Sequence, residues 1–141
     1  MNTVRLGIIG MGNIGRYHAD YLLNGKVTRC QLTAVADALA PLDAWAAKGL
    51  RTFKDGNALI QSEAVDAVIV ATPHYQHTTL GIAALDAGLH VMVEKPISVH
   101  KADAGRLIAA HAERPGQIFA AMFQLRTEPR YMKIKKLIAD G

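Results

Sequence analysis

Short apolar runs, separated by polar connections marked with glycine and proline, set the rhythm of this chain. Val4-Arg5-Leu6-Gly7-Ile8-Ile9 is the first, and Leu32 to Ala36, Val65 to Ala71, Leu89 to Val93 and Ile118 to Phe123 follow. Runs of this length, rich in Ile, Val and Leu, read as buried parallel strands. Arg51 to Phe53 is a shorter candidate. Between the runs the pattern turns helical, over Asn13 to Leu23, Pro41 to Lys48, Asp55 to Ser62 and His77 to Ala87. A further helix is predicted from Ser98, its expected N-cap, to about Glu113. Punctuation supports these limits. Pro73 stops a strand because it cannot donate to a ladder, Gly88 suits the C′ position of a helix, and Asn24-Gly25 and Pro115-Gly116 mark turns. The alternation predicts an α/β fold: a doubly wound, mostly parallel sheet with helices on both faces.

The end of the chain breaks the pattern. After Glu128-Pro129, residues 130–139 form an amphipathic helix with Tyr131, Ile134, Leu137 and Ile138 on its apolar stripe. Such a stripe needs something to lie against. Two units are expected: residues 1–125 as the sheet domain, and 126–141 as a linker and helix leading to a further domain absent from this chain. A last helix packed back on its own sheet is the alternative. Charge follows the same division. Of the net +4, residues 1–125 contribute +1 and residues 126–141 contribute +3. The basicity belongs to the tail, whose one aromatic, Tyr131, belongs to the apolar stripe, so nucleic-acid binding is not expected. One cysteine, Cys30, excludes an internal disulfide framework and suits a reducing compartment, with a buried or half-buried inert thiol the expected state. No apolar run approaches a membrane span, and the first run leads straight into glycines rather than a cleavage site. A cytoplasmic protein is the expectation.

The candidate chemistry begins where the first run ends, at Gly10-Met11-Gly12-Asn13-Ile14-Gly15. Gly-x-Gly-x-x-Gly between a strand and a helix is the dinucleotide fingerprint. Gly10 permits the tight turn, Gly12 lets backbone approach a pyrophosphate, and Gly15 lets helix pack on strand. The free N–H groups at that helix start would hold phosphate. Asp37 closes the second run and can accept hydrogen bonds from both adenosine ribose hydroxyls. Its other use is to cap the next helix. Because Ala38 follows, with no arginine or serine behind the carboxylate to take a 2′-phosphate, NAD is favoured and NADP is the second choice.

Four separated motifs then agree in order and spacing: the glycine turn, the strand end at Asp37, Ala71-Thr72-Pro73-His74-Tyr75-Gln76-His77, and Glu94-Lys95-Pro96. Together they resemble the glucose-fructose oxidoreductase / inositol dehydrogenase (Gfo/Idh/MocA) family over nearly the whole chain. The resemblance implies an N-terminal Rossmann domain followed by a larger substrate domain. It implies an NAD(P)-dependent oxidoreductase acting on the CH–OH group of a sugar- or polyol-like small molecule, homo-oligomeric as a full-length protein. It also implies roles by position. Lys95 matches the lysine near the nicotinamide and the reacting hydroxyl. Glu94 and Pro96 match its neighbours, with a cis bond before the proline. Thr72, Pro73, His74 and His77 match the loop beside the cofactor, although relatives often carry Asn where His74 stands. Phe123-Gln124-Leu125-Arg126-Thr127-Glu128-Pro129 resembles a further family segment in which Gln124 replaces Asn, Thr127 an aromatic and Glu128 Asp.

Chemistry alone points the same way. Oxidising an alcohol by hydride transfer needs a base for the hydroxyl proton, and a positive nicotinamide beside a lysine favours the neutral amine. The alternative for Lys95 is a strand-end lysine paired with Glu94 or solvated. His74 and His77, three apart, lack a third ligand at a convincing spacing, so no metal is expected. His77 is expected to cap a helix or line the cofactor groove, while His18, His90, His100 and His111 read as surface or satisfied core residues. The contrasting functional reading is a non-catalytic NAD(P)-sensing module that contacts a partner through its tail.

Overall fold

The computed structural model describes residues 3–141. Six strands form one all-parallel sheet: β1 (Val4–Ile9), β2 (Cys30–Ala36), β3 (Arg51–Phe53), β4 (Ala67–Val70), β5 (His90–Val93) and β6 (Phe119–Ala121), ordered β3-β2-β1-β4-β5-β6. The helices between them are α1 (Asn13–Leu23), α2 (Asp43–Ala46), α3 (Gly56–Ile60), α4 (His77–Asp86) and α5 (Lys101–Ala112), with α6 (Pro129–Asp140) after the sheet.

The two-residue period of the strands divides the core into two layers. Ile9, Val68, Val70, Val91 and Val93 face one side, where Leu59, Leu80, Leu85 and Leu107 of α3, α4 and α5 cover them. Leu6, Ile8, Leu32, Val35 and Ile69 face the other, against Ala19 of α1 and Trp45 of α2. Trp45 is therefore a packing residue. Both faces of β1 are buried, as its unbroken apolar run requires. The pairing of β1 with β2 slips by one residue after Leu6, leaving Thr33 extra. The Thr33 hydroxyl caps the Ala64 carbonyl at 2.9 Å.

Because the order reverses at β1, chains leaving β1 and β4 diverge to opposite faces and leave a crevice at the carboxyl edge, the usual ligand position in such sheets. The opposite, amino edge is closed by Arg5, which binds Asp66 through its guanidinium (2.7 and 3.1 Å) and through its backbone N–H (2.8 Å).

The structure departs from the sequence pattern in several places. Asp43–Ala46 is all that forms of the helix expected over 41–48, because residues 38–40 are held in a turn by Asp37 and Gly49 ends the segment at φ +83°. Ser98 does not cap α5. Its hydroxyl bonds Thr78 at 2.9 Å, and His100 occupies the N-cap position in extended conformation. Glu63, at φ 55°, turns the chain out of α3 early. In α6 the stripe residues Tyr131, Ile134, Leu137 and Ile138 are all exposed. Cys30 is half-buried, and burial pushes its thiol up. Among the described residues, no helix is long and apolar enough to cross a membrane, and no group of three His, Cys, Asp or Glu side chains could hold a metal.

Candidate functional site: the carboxyl edge of the sheet

The glycine turn is built by collision and by its absence. Gly10 sits at φ +97°, and a Cβ there would lie 2.7 Å from the Ala71 carbonyl and the Thr72 nitrogen. A Cβ on Gly15 would overlap the Gly10 carbonyl oxygen. Both glycines are demanded by the fold itself. Gly12 is different: its φ is −70°, and a Cβ there would meet nothing within 4 Å. Nothing in the protein requires glycine at 12, so the open space above it is room for a ligand's close approach. Asn13 and Ile14 follow as the exposed first turn of α1.

Asp37 lies across the turn. Its Oδ2 accepts from the Met11 N–H at 2.7 Å, and its Oδ1 accepts from Leu39 and Ala40 at 2.8 and 2.7 Å. Burial raises the pKa of this carboxyl, but the backbone donors of Ala40, Met11 and Leu39, with the nearby Lys54 charge, outweigh it and hold Asp37 below the usual carboxylate range. The cap is thus real but serves the 38–40 turn rather than α2, whose N-cap is Leu42. Three donors leave part of the carboxylate's acceptor capacity open.

A cleft of about 760 Å³ opens at this point, bounded by Gly10, Gly12, Asp37, Thr72 and Pro73. Tyr75 and Gln76 of the Ala71–His77 motif also line it, as do Arg16, Lys54 and Asn57, which no sequence motif marks. Arg16 is fastened to the Met11 carbonyl and Lys54 to that of Ala40. At its rim Thr72 Oγ1 is buried and, among the described residues, has no hydrogen-bond partner. Such an orphan calls for a partner from outside. The open face at Gly12, the spare acceptor at Asp37 and the orphan at Thr72 together suit a dinucleotide.

The second half of the edge, at the end of β5, lies outside this cleft. Glu94 is 5 % exposed and is the one buried carboxylate among the described residues. Its Oε1 accepts from His18 Nε2 at 2.7 Å, and its Oε2 from the Lys95 backbone N–H at 3.1 Å. The carboxylate therefore engages the backbone of Lys95, whose side chain is exposed. The Lys95–Pro96 bond is cis.

His77 is neither a helix cap nor a groove residue. It is fully buried, with Nδ1 2.8 Å from the Pro96 carbonyl and Nε2 3.0 Å from that of Thr72, so it straps together the loops that follow β4 and β5. His74 is exposed at the start of a short 3₁₀ turn, its ring edge-on to His77. Gln124 is exposed just beyond β6, on the same edge. His18, expected to be an ordinary surface or core residue, is the partner the sequence reading missed. Its spacing held the signal: three residues after Gly15, it falls on the sheet-facing side of α1.

Comparison with known proteins agrees with this geometry. Residues 4–122 match the sequence model of the Gfo/Idh/MocA group, described as an oxidoreductase family with an NAD-binding Rossmann fold. Inositol 2-dehydrogenase of Salmonella typhimurium is 32 % identical over 99 % of this chain and 42 % of its own length. Inositol 2-dehydrogenase 3 of Saccharopolyspora erythraea is 35 % identical over 99 % and 41 %. The chain thus spans about two fifths of the length of the curated relatives it matches. Among solved structures, scyllo-inositol dehydrogenase from Lactobacillus casei with bound NAD(H) and scyllo-inositol superposes with a TM-score of 0.92 at 29 % identity, covering 99 % of this chain and 42 % of that one. A 3-ketoreductase from Actinomadura kijaniata in complex with TDP-benzene and NADP gives 0.86 at 28 % identity, covering 99 % and 43 %.

Proposed function

The chain belongs to the Gfo/Idh/MocA family of oxidoreductases with an NAD-binding Rossmann fold, and from that premise we propose that it is the cofactor-binding part of an enzyme that moves hydride to or from a sugar, polyol or related hydroxy compound. The observation that carries the proposal is the shared edge: a glycine turn open at Gly12, an ionised Asp37 and an exposed Lys95 on an anchored loop all stand at the carboxyl ends of one parallel sheet. In this reading the Gly12 turn, with Asn13 and Ile14 in the first turn of α1, holds the pyrophosphate. Asp37 accepts from the adenosine ribose. Thr72, Pro73 and His74 flank the far half of the dinucleotide, with Glu94, Lys95, Pro96 and Gln124 beyond. His77 acts from behind, as a strap.

Bound nicotinamide supplies the hydride acceptor or donor. Lys95 holds or releases the proton of the substrate hydroxyl at its Nζ, and the strap and the Glu94 carboxylate keep its loop from shifting. Residues 126–141 lead, in this proposal, to a second domain that completes the substrate site. The 141-residue chain then binds cofactor and turns over little or nothing alone. Inositol and similar polyols are the first substrates to try, since the relatives are inositol dehydrogenases.

The test is a titration of this chain with NADH and, separately, NADPH, followed by nicotinamide fluorescence. Saturable binding with NADH preferred is expected. A preference for NADPH overturns the role given to Asp37 and Ala38, and dehydrogenase turnover by this chain alone overturns the division between two domains.

A further inference from the structure

We propose that His18 and Glu94 are a positioning pair that fixes the backbone of Lys95, a role that rests on the reading of Lys95 as the proton-handling residue. A carboxylate as buried as Glu94 is costly to keep unless its oxygens are satisfied. Here each oxygen has one donor, His18 Nε2 on one and the Lys95 N–H on the other. Fastening α1 to the sheet does not require this arrangement. Gly15 and Ala19, both buried, already bring the helix down on the sheet. An apolar pair in place of this buried polar one would hold as well or better. What an apolar pair cannot do is grip the next backbone N–H, and that is where the second oxygen is spent.

The loop is held at both neighbours of Lys95. Glu94 is tied to α1 through His18, and the Pro96 carbonyl is tied to α4 through His77 at 2.8 Å. Between them the Lys95 Cα has little freedom while its side chain projects outward. The helix that starts at the glycine turn is thereby joined, through one imidazole, to the residue at the other half of the site. Partners one step removed from a reacting group commonly set its orientation, and their loss costs rate rather than binding.

The experiment compares His18→Leu, which removes the donor, with His18→Gln, whose amide N–H has a similar reach. Backbone hydrogen exchange is measured on the chain, and kinetics are measured on the full-length protein with NAD and scyllo-inositol as probes. In His18→Leu the Lys95 amide should exchange about tenfold faster, with Val93 and Leu107 unchanged. The kcat should fall roughly ten- to hundredfold while the KM for NAD stays within about twofold. His18→Gln should recover most of both. An unchanged Lys95 amide in His18→Leu overturns the inference whatever the substrate proves to be, and so does a uniform rise in exchange across the sheet, the mark of a purely structural fastening. If His18→Leu does not fold, a His18→Gln protein with wild-type exchange supports the pair, and Glu94→Gln must then speed the Lys95 amide or the inference fails. Lys95→Ala separates the two levels. Unchanged turnover in that variant sinks the reading of Lys95, while the exchange result on the pair stands or falls by itself.

Discussion

The two halves of the carboxyl edge each hold one critical acid, and they hold it by different means. Asp37 is gripped by three backbone N–H groups, from Met11, Leu39 and Ala40, and faces a formed cleft. Glu94 is gripped by an imidazole from a helix 76 residues earlier in the chain, and the loop it steadies stands outside that cleft. Backbone donors come with the turn itself, so the first half is preorganised by the fold. The second half depends on a few side chains, His18, Glu94 and His77, reaching it from separate elements. The difference teaches where binding and where rate should be sensitive.

Lys95→Ala tests the second half most severely. In the full-length enzyme it should lower kcat by at least about a hundredfold, the scale of a lost general acid–base residue, with NADH affinity within about twofold by fluorescence titration. A matching loss in affinity would merge the two halves. Next come the glycines of the first half. Gly15→Ala must displace the Gly10 carbonyl, and overpacking of this kind costs about 1–3 kcal/mol, visible as a lower thermal midpoint together with lost NADH binding. Gly12→Ala should leave the midpoint within about 2 °C, since a substitution into open space costs well under 1 kcal/mol, yet weaken NADH binding at least about tenfold. If both binding and stability survive Gly12→Ala, the space above it is not a ligand cradle.

Acid strength gives a smaller and more graded comparison. Asp37 and Asp66 both have folded-state pKa values below their unfolded ones, Asp66 chiefly through its hydrogen bond to the Arg5 guanidinium. Their stabilisation is complete above the unfolded value of about 4 and is lost as pH falls through the lower folded value. Urea midpoints should therefore drop between pH 5 and pH 3, and Asp37→Asn should flatten that drop while also reducing the preference for NADH over NADPH. An unchanged acid limb in Asp37→Asn would mean that its backbone donors contribute nothing net. The smallest effect is expected at Leu39, 93 % exposed beside Asp37. Leu39→Ser should shift stability by less than about 0.5 kcal/mol, as for side chains in the open, although Leu39 lies on the wall of the cleft.

The same contrast explains what could be read from the sequence. β1, α1 and the start of α4 fall at the residues predicted, because an apolar run ending in Gly10 and a helix starting after Gly12 are local facts of periodicity and turn chemistry. The dinucleotide fingerprint is legible for the same reason, and so is a doubly wound parallel sheet once strands and helices alternate, whereas the strand order is set by tertiary pairing. The role of His18 is not legible because its partner, Glu94, lies just past the end of β5, and single-residue spacing says which face a side chain occupies, not whom it meets there. The sequence predicts that His77 caps a helix or lines the groove, because it shares one motif with Thr72 and Pro73, yet the first residue of α4 turns inward and is consumed by two carbonyls. Ser98 was read as a cap on residue type alone, and the Thr78 hydroxyl took it instead.

The position of β1 in the sheet has a consequence for how the protein is made. This strand lies between β2 and β4, with Leu6 paired to Leu32 on one side and to Ala67 on the other. This strand therefore leaves the ribosome well before its second neighbour, which arrives roughly sixty residues later, about 3–12 s at ordinary elongation rates. Throughout that interval Leu6, Ile8 and Ile9 have an unpaired edge and no complete cover. A nascent chain in that state exposes the kind of apolar segment that chaperones bind, and slowing elongation before residue 70 should lower the yield of native protein more than slowing it after.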